Sequence, residues 1–370
     1  MRVLIEARID AVRACAYTVP TDVPEADATL AWDATTLVVC EATCGGTTGL
    51  GYTYADAACV PLIARTLAPL VEGRGALDVP GAWDAMRRGV RNLGRPGLVS
   101  CAMSAVETAL HDLKARLLQL PLAALFGRCR TGVPVYGSGG FTTYDDVRTR
   151  AQLEHWTGES GIPRVKIKIG ESWGTEPERD LHRVALARRT VGDGTALYVD
   201  ANGGYGVGQA VRIGRALADQ GVTWYEEPVS SDHLASLRQV RARVSPDVAA
   251  GEYGYHLPYF DAMVHAEAVD CLQIDVTRCG GYGEWLRAAA VAAGNGTEVS
   301  GHCAPSLAVH VAAATPNLRH LEYFHDHVRI EHLLFDGPAP PEDGVLRPDP
   351  TTPGNGLVLK RTDAEPYRVG

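Results

Sequence analysis

Eight short apolar segments, each followed by a helical stretch, leave few folds open to this chain. They begin about 20 to 33 residues apart from residue 133 onward and read VPVYG, RVKIKIG, ALYVDANG, TWYEEP, VAAGEY, CLQIDVT, TEVSGH and HLEY. Regular alternation of short strands and helices is typical of repeated βα units in an α/β protein. Eight such units predict a closed barrel. A doubly wound sheet is the alternative, but no GxGxxG motif follows a first strand.

The residues on either side of this series have a different pattern. Residues 1–53 contain strand-like runs, and residues 54–127 contain three helical stretches whose apolar residues recur with a period of about 3.6. Together they predict a separate α+β unit. After residue 326 come a helical run, a Pro- and Gly-rich passage and a last strand-like segment, LVLKR. We expect this tail to leave the barrel.

Composition and charge exclude several classes of protein. Hydrophobic residues make up 46% and charged residues 21% of the 370 positions, which predicts a soluble globular protein and excludes global disorder. A net charge of -9 argues against nucleic acid or an anionic membrane as the main partner. No run is long enough to span a bilayer, and charged residues interrupt the apolar run at the N-terminus, so we expect no signal peptide.

The cysteines indicate a reducing compartment. Nine cysteines are scattered along the chain without a CxxC pair, which predicts reduced thiols in a cytoplasmic protein. Cys40 and Cys44 are the closest pair that suggests a metal site, but no second Cys or His pair completes it at zinc-finger spacing.

Three carboxylates occur at the ends of successive predicted strands. Asp200 ends ALYVD, Glu226 ends TWYE and Glu252 ends VAAGE, with 26 residues between each pair. Because the carboxyl ends of barrel strands share one edge, these side chains are expected to converge there, where a βα barrel builds its active site. Three hard oxygen ligands suit Mg²⁺. A single one of these acids would more often be a solvated loop residue, so the regular spacing carries the prediction.

The second predicted strand carries two lysines on one face. In the run from Val165 to Ile169, period-two alternation directs the branched residues toward the helices and Lys166 and Lys168 toward the barrel interior. A half-exposed strand with a solvent-facing lysine pair is the alternative. Two ammonium groups held close disfavour each other's charge, so we expect one of them to be able to accept a proton.

On the opposite side of the predicted ring, Asp275 ends strand six and His302 ends strand seven. A buried carboxylate on one imidazole nitrogen fixes the tautomer and leaves the other nitrogen free to exchange a proton with a substrate. Glu322 ends strand eight and is a candidate for hydrogen bonding to a substrate carboxylate, although a structural ion pair is an equal alternative.

These motifs, taken in order, carry a family resemblance. The series KIK at 166–168, VDAN at 199–202, EEP at 226–228, GE at 251–252, QID at 273–275, SGH at 300–302 and LEY at 321–323 resembles the mandelate racemase subgroup of the enolase superfamily over nearly the whole chain. The resemblance implies a (β/α)7β TIM-like barrel at residues 131–325. It also implies an α+β capping domain at residues 1–130, to which a C-terminal segment, residues 326–370, returns.

The resemblance also implies roles for the matching residues. Mg²⁺ is expected on Asp200, Glu226 and Glu252. Lys168 and the His302–Asp275 dyad are expected to be acid/base groups on opposite faces of the substrate. Lys166 and a protonated Glu322 are expected to stabilise the enediolate, with Asn202 lining the pocket. A homo-oligomer, an octamer or a dimer, is expected as well.

The expected reaction is removal of the proton alpha to a carboxylate, followed by loss of water from an acid sugar to form a 2-keto-3-deoxy acid. Racemisation or epimerisation of a 2-hydroxy acid and cycloisomerisation of an anhydro- or lactone-type sugar acid are alternatives that use the same residues. A Schiff-base aldolase would not need three evenly spaced acids, and a silent structural barrel would not need two bases. Loops near residues 17–24 and 49–56, including Tyr52 and Tyr54, are candidates for substrate specificity.

Overall fold

A computed structural model describes residues 7–369 of the chain. The first strand-like run of the sequence begins at residue 2, so its first five residues lie outside the described part, as does the start of the expected capping domain.

An antiparallel three-stranded sheet opens the described chain. Its strands are β1 (Ala11–Ala26), β2 (Ala31–Cys44) and β3 (Thr47–Tyr54), in the order β1-β2-β3. Helices follow at Cys59–Leu62, Ala68–Val71, Val79–Gly89, Leu98–Leu117 and Leu122–Phe126, with a π-helical turn at Ile63–Leu67. The α+β unit expected from the sequence is therefore present.

Strand β3 packs closely against the long helix Leu98–Leu117. A Cβ atom added at Gly51 would lie 2.4 Å from the backbone nitrogen of Ala109 and 2.2 Å from the hydroxyl oxygen of Thr108. Such distances are well inside van der Waals contact, so the close approach of strand and helix requires glycine.

Eight parallel strands form a closed barrel, which confirms the predicted fold class. They are β4 (Val133–Gly139), β5 (Arg164–Lys168), β6 (Ala196–Asp200), β7 (Val222–Glu226), β8 (Asp247–Ala250), β9 (Cys271–Ile274), β10 (Glu298–Gly301) and β11 (Leu318–Phe324). The pairing of β11 with β4, which sets Leu321 opposite Val135, closes the ring. Helical segments between the strands lie at Asp146–Glu154, Glu171–Gly174, Pro177–Val191, Val207–Asp219, Leu234–Arg241, Leu257–His265, Tyr282–Gly294 and Pro305–Ala312, with a π-helical turn at His155–Glu159.

The barrel interior is divided into an apolar and a charged layer. Aromatic side chains fill the amino-terminal end, where the rings of Tyr198 and Trp224 stack 5.5 Å apart and Tyr136 lies edge-on to Tyr198. Because side chains alternate along a strand, the inward residues two positions further on, such as Asp200 and Glu226, lie at the carboxyl end. Ionisable groups therefore concentrate at one mouth of the barrel.

The C-terminal segment contacts both other parts of the chain. It contains helix His325–Leu334, strands β12 (Phe335–Asp336), β13 (Val345–Leu346) and β14 (Val358–Leu359), helix Arg361–Ala364 and a 3-10 turn at Glu365–Tyr367. Strand β13 pairs antiparallel with β4 of the barrel. The Asn355 backbone N–H donates to Asp112 on the long helix (2.6 Å), and its side-chain amide donates to the Leu50 carbonyl on β3 (2.8 Å).

In the part of the chain from residue 7 to residue 369, no helix combines the length and the apolar character that crossing a membrane requires. All nine cysteines are unpaired thiols, seven of them buried.

Candidate active site

Three buried carboxylates meet at the carboxyl end of the barrel. Asp200 and Glu226 are the last residues of β6 and β7 and lie side by side in register, and Glu252 follows β8 by two residues. One oxygen atom from each lies within 4.8 Å of the other two. Gly251 has a φ of +135°, and a Cβ there would lie 2.2 Å from the Gln273 carbonyl oxygen, so this turn into Glu252 requires glycine. The convergence predicted from the 26-residue spacing is therefore present.

This carboxylate cluster fits a hard divalent cation. The three residues are at most 3% exposed. Burial, together with the charges of neighbouring carboxylates, raises the pKa of Glu226 to about 8 despite the nearby Lys166. The Glu252 Oε2 atom is buried and accepts no hydrogen bond from the described residues. Buried like charges with an unused oxygen ligand are stabilised by a cation held between them.

Two lysines of β5 adjoin the cluster on one side. Lys166 Nζ contacts Glu226 Oε1 and lies 2.8 Å from Glu322 Oε1, while Lys168 Nζ lies 2.5 Å from Asp200 Oδ2. Both lysines are buried on the interior face, as the alternation in β5 predicted.

The carboxylates around the two lysines oppose the effect of one lysine charge on the other, and the expectation that one of them accepts a proton stays a prediction. Burial is the largest influence on the pKa of Lys168 and lowers it, and the charge of Lys166 lowers it as well. The carboxylates of Asp200, Glu226 and Glu252 raise it, and the net shift is upward. These carboxylates therefore favour the protonated form of both lysines.

The His302–Asp275 pair adjoins the cluster on the other side. His302 Nδ1 lies 2.7 Å from Asp275 Oδ2, and the other Asp275 oxygen accepts hydrogen bonds from the backbone and the hydroxyl of Thr277, both at 2.7 Å. An ionised carboxylate only accepts hydrogen bonds, so Nδ1 carries the proton and Nε2 faces the site. His302 Nε2 lies 3.3 Å from Glu252 Oε2. Burial lowers the pKa of His302, but Glu252, Glu322 and Asp275 outweigh burial and raise it.

Glu322 lies between the two sides of the site. The sequence suggested that it ends its strand, but β11 continues two residues further, to Phe324. Its carboxylate contacts Lys166 through Oε1 and the Cys303 backbone N–H through Oε2 (3.2 Å). Burial raises the pKa of Glu322, but the charge of Lys166 and then that of His302 lower it well below its ordinary value. These contacts favour the ionised form of Glu322, and the protonated Glu322 that the resemblance implies stays a prediction.

A cavity of about 450 Å³ is lined by residues that follow Asp200, Glu226 and Glu252 in the chain, although none of those three carboxylates lines it. Asn202 lines this cavity, with an Oδ1 atom that has no hydrogen-bond partner among the described residues. Sequence reasoning missed most of the other lining residues, although each follows a strand end or belongs to the capping unit. They include Thr29, Trp173, Glu227, Ser231, Tyr253, His256 and Tyr259.

The two candidate specificity segments lie mostly in strands, although residues 21–24 form a bulge of β1 that does not pair with β2, and residues 55 and 56 follow β3. Residues 17–24 lie in β1 and residues 49–54 lie in β3. The Tyr52 hydroxyl donates to Glu331 (2.5 Å), and the Tyr54 hydroxyl donates to the His327 carbonyl (3.1 Å) while its ring stacks on the His327 ring. The structure thus places both tyrosines in the contact between the capping sheet and the helix after the barrel, and neither lines the 450 Å³ cavity.

Chemically, the site can hold a hard cation and move protons from two sides. The carboxylate cluster contacts ammonium donors on one side, through Asp200 and Glu226, and an imidazole on the other, through Glu252. Such an arrangement suits removal and return of a proton next to a carboxylate, where negative charge develops beside the cation.

Comparison with protein families covers almost the whole chain. Residues 11–127 match the family model described as "Mandelate racemase / muconate lactonizing enzyme, N-terminal domain", and residues 148–364 match the one described as "Enolase C-terminal domain-like".

This chain is similar to named relatives and to solved structures over most of their length. A 3,6-anhydro-alpha-L-galactonate cycloisomerase of Streptomyces coelicolor is 32% identical over 85% of this chain and 86% of its own. The solved structure of a mandelate racemase/muconate lactonizing enzyme-like protein from Rubrobacter xylanophilus is 48% identical, with a TM-score of 0.94 over 98% of this chain and 100% of its own. That of an L-talarate dehydratase from Polaromonas, complexed with Mg and L-glucarate, is 28% identical, with a TM-score of 0.88 over 98% of both chains.

Proposed function

The chain belongs to the mandelate racemase/muconate lactonizing enzyme family of the enolase superfamily, and from this premise we propose that it dehydrates an acid sugar to a 2-keto-3-deoxy acid. The observation that carries the proposal is the position of the carboxylate cluster, with the lysines in contact on one side and His302 on the other. Asp200, Glu226 and Glu252 are the proposed ligands of Mg²⁺. When bound, Mg²⁺ would supply a Lewis acid for the charge that develops on the substrate carboxylate.

The two sides of the site would then have different tasks. His302 Nε2, with Nδ1 held by Asp275, is poised to take or return a proton at the alpha carbon or to protonate a beta-hydroxyl as it leaves. Lys168 is the acid/base group of the opposite face. Its proton is retained by Asp200, and a cation on that carboxylate would weaken this hold.

Lys166 and Glu322 would position the substrate carboxylate. Both are at most 1% exposed and they contact each other at 2.8 Å, so neither changes its hydration when a substrate arrives. The Lys166 ammonium would stabilise the developing negative charge without the cost of reorganising solvent, and Glu322 would do so as a protonated carboxyl that donates a hydrogen bond. Asn202 is the proposed contact for a substrate hydroxyl, because its free oxygen lines the cavity.

Dehydration is favoured because the cavity presents hydroxyl, amide and carboxylate groups among its aromatic rings, and such polar groups can bind a polyhydroxylated acid. It is also favoured because the related L-talarate dehydratase is complexed with L-glucarate. Cycloisomerisation of an anhydro sugar acid is the second candidate. It is favoured by the cycloisomerase of Streptomyces coelicolor, which aligns with 85% of this chain.

The test is proton NMR of the Mg²⁺-loaded protein in D₂O with mono- and di-acid sugars, including anhydro and lactone forms. A keto acid formed from an open-chain acid with loss of water supports dehydration. An isomeric product formed by opening the ring of an anhydro or lactone form, without loss of water, supports cycloisomerisation. Alpha-proton exchange without either product supports racemisation or epimerisation. Lys168→Ala and His302→Asn should each abolish net turnover. His265→Asn, at a histidine that is 63% exposed, is the matched control and should retain it. If no acid in the panel undergoes alpha-proton exchange, the proposed function is contradicted.

We further propose that the protein acts in the cytoplasm as a homo-oligomer. The nine unpaired cysteines, seven of them buried, support a reducing compartment. Light scattering coupled to size-exclusion chromatography would give the number of subunits.

A further inference from the structure

A second group of metal-ligating atoms adjoins the carboxylate cluster. It consists of His302 Nε2, Cys303 Sγ and Glu322 Oε2, from the loop after β10 and from β11, and its residues are at most 6% exposed. Cys303 Sγ lies 3.4 Å from His302 Nε2 and 3.3 Å from Glu322 Oε2, and the histidine and glutamate atoms lie 3.6 Å apart. We call this group the thiol triad. None of the three atoms is among the proposed Mg²⁺ ligands.

The separations within the thiol triad match the edges of a zinc coordination tetrahedron. Zinc binds sulfur at about 2.3 Å, imidazole nitrogen at about 2.0 to 2.1 Å and carboxylate oxygen at about 2.0 to 2.2 Å. At tetrahedral angles these bond lengths place the ligand atoms about 3.4 to 3.6 Å from one another. The three observed distances, 3.3 to 3.6 Å, agree with this range to about 0.1 to 0.3 Å.

The orientation of each ligand also suits a metal ion. Asp275 holds His302 Nδ1 at 2.7 Å, which leaves the Nε2 lone pair directed into the triad and reproduces the carboxylate–histidine–metal arrangement of zinc sites. Lys166 contacts the Oε1 atom of Glu322 and leaves Oε2 to face the thiol. Three protein ligands leave the fourth position of a zinc tetrahedron to water.

The backbone at Cys303 directs the thiol into the site. Cys303 has a φ of +50°, in the left-handed region that non-glycine residues rarely adopt, and the next residue, Ala304, has a φ of +44°. Such a conformation costs on the order of 1 to 3 kcal/mol and occurs where surrounding structure enforces it, often at ligand sites.

We propose that the thiol triad binds Zn²⁺ at a site separate from that proposed for Mg²⁺, and that Zn²⁺ bound there inhibits the enzyme. Sulfur and imidazole ligands favour zinc over magnesium, which prefers oxygen ligands alone. Inhibition follows because the ion occupies Nε2 of His302, the atom that exchanges a proton with substrate. The binding rests on geometry alone, whereas the inhibition also rests on the proposed function.

The binding test uses Co²⁺, because a thiolate bound to cobalt gives a charge-transfer band in the near ultraviolet. Protein stripped of metal with a chelator is titrated with Co²⁺ in excess Mg²⁺, which occupies the carboxylate cluster. The wild type should develop the band at one equivalent and lose it when Zn²⁺ is added. Cys303→Ser should show no band. Cys279→Ser, at another buried cysteine whose thiol donates to the Gly281 carbonyl, is the matched control and should keep it.

Two outcomes would overturn the proposed zinc site: no band in the wild type, or the same band in Cys303→Ser. Circular dichroism establishes whether each variant is folded. If Cys303→Ser does not fold, Cys303→Ala is used in its place. Once a substrate is known, Zn²⁺ should inhibit the Mg²⁺-loaded wild type. The concentration that halves its rate should rise about tenfold or more in Cys303→Ser, each protein being compared with its own zinc-free rate. If no substrate is turned over, the cobalt spectra still decide whether the thiol triad binds metal.

Discussion

Replacement of Glu331 by glutamine removes a titratable group from the contact between the capping sheet and the helix that follows the barrel. Glu331 Oε1 lies 2.5 Å from the Tyr52 hydroxyl on β3, Oε2 lies 2.6 Å from the Ser306 hydroxyl, and the residue is 1% exposed. Burial raises the pKa of Glu331 from 4.5 to about 7, although its hydrogen bonds with Ser306 and Tyr52 lower it. The folded protein therefore holds this proton more tightly than the unfolded chain does.

The sign and size of the effect follow from linkage. Because the folded-state pKa is above the unfolded value, the stability contributed by the protonated carboxyl is complete below a pH of about 4.5 and is lost as the pH rises through about 7. At about 1.4 kcal/mol per pKa unit, the wild type should lose about 2.5 kcal/mol between about pH 5 and about pH 8.5 through this group. Glutamine is neutral throughout this range, so Glu331→Gln should not undergo the loss.

The assay is urea-induced unfolding of both proteins at the two pH values and at one protein concentration. At each pH we take the difference in unfolding free energy between variant and wild type, and we then compare this difference at the two pH values. The contributions of groups that titrate in both proteins cancel in this comparison. We expect the variant to gain about 2.5 kcal/mol relative to the wild type on going to the higher pH. Glu365→Gln, at a side chain that is 68% exposed, should show no such gain. A difference that is the same at both pH values would refute the assignment of a raised pKa to Glu331.

Three further perturbations test the site and the fold. Asp275→Asn should slow alpha-proton exchange, measured by NMR in D₂O, by about 10² to 10⁴-fold. The reason is that an amide donating to Nδ1 moves the proton of His302 to Nε2. A loss of less than tenfold would contradict the role of the His302–Asp275 dyad. Gly51→Ala should lower the unfolding free energy by about 3 kcal/mol, since its Cβ would meet helix backbone at 2.4 Å, whereas Gly81→Ala, with no atom within 4 Å, should be neutral or stabilising in thermal unfolding. Chelation of Mg²⁺ should lower the unfolding midpoint of the wild type. The lost stabilisation should be about 2.7 kcal/mol when the starting Mg²⁺ concentration is one hundred times Kd. Glu252→Gln should show a smaller shift, and equal shifts in the two proteins would contradict the proposed ligand set.

Much of the fold was predictable because it depends on patterns that are local in sequence. The eight barrel strands were recognisable from short apolar runs between helical stretches, and all eight occur where expected. The meeting of Asp200, Glu226 and Glu252 was predictable as well, because one βα unit moves the chain by one strand around a ring. In the same way, alternation along β5 placed Lys166 and Lys168 inside the barrel.

Other features depend on which groups meet across long separations in the chain, and periodicity carries no information about those distances. The charge of Lys168 is set by Asp200, 32 residues away, and the charge of Glu322 by Lys166. Tyr52 was a reasonable candidate for a substrate contact until the fold brought its hydroxyl to Glu331, 279 residues further on. The position of the Cys303 thiol likewise depends on a left-handed turn that the rest of the barrel imposes on an ordinary residue. The sequence pattern was thus sufficient to predict the fold and the acids and bases that converge. The protonation states of these groups and the neighbours of the capping sheet depend on burial and on charges close in space. Both exist only once the chain has folded.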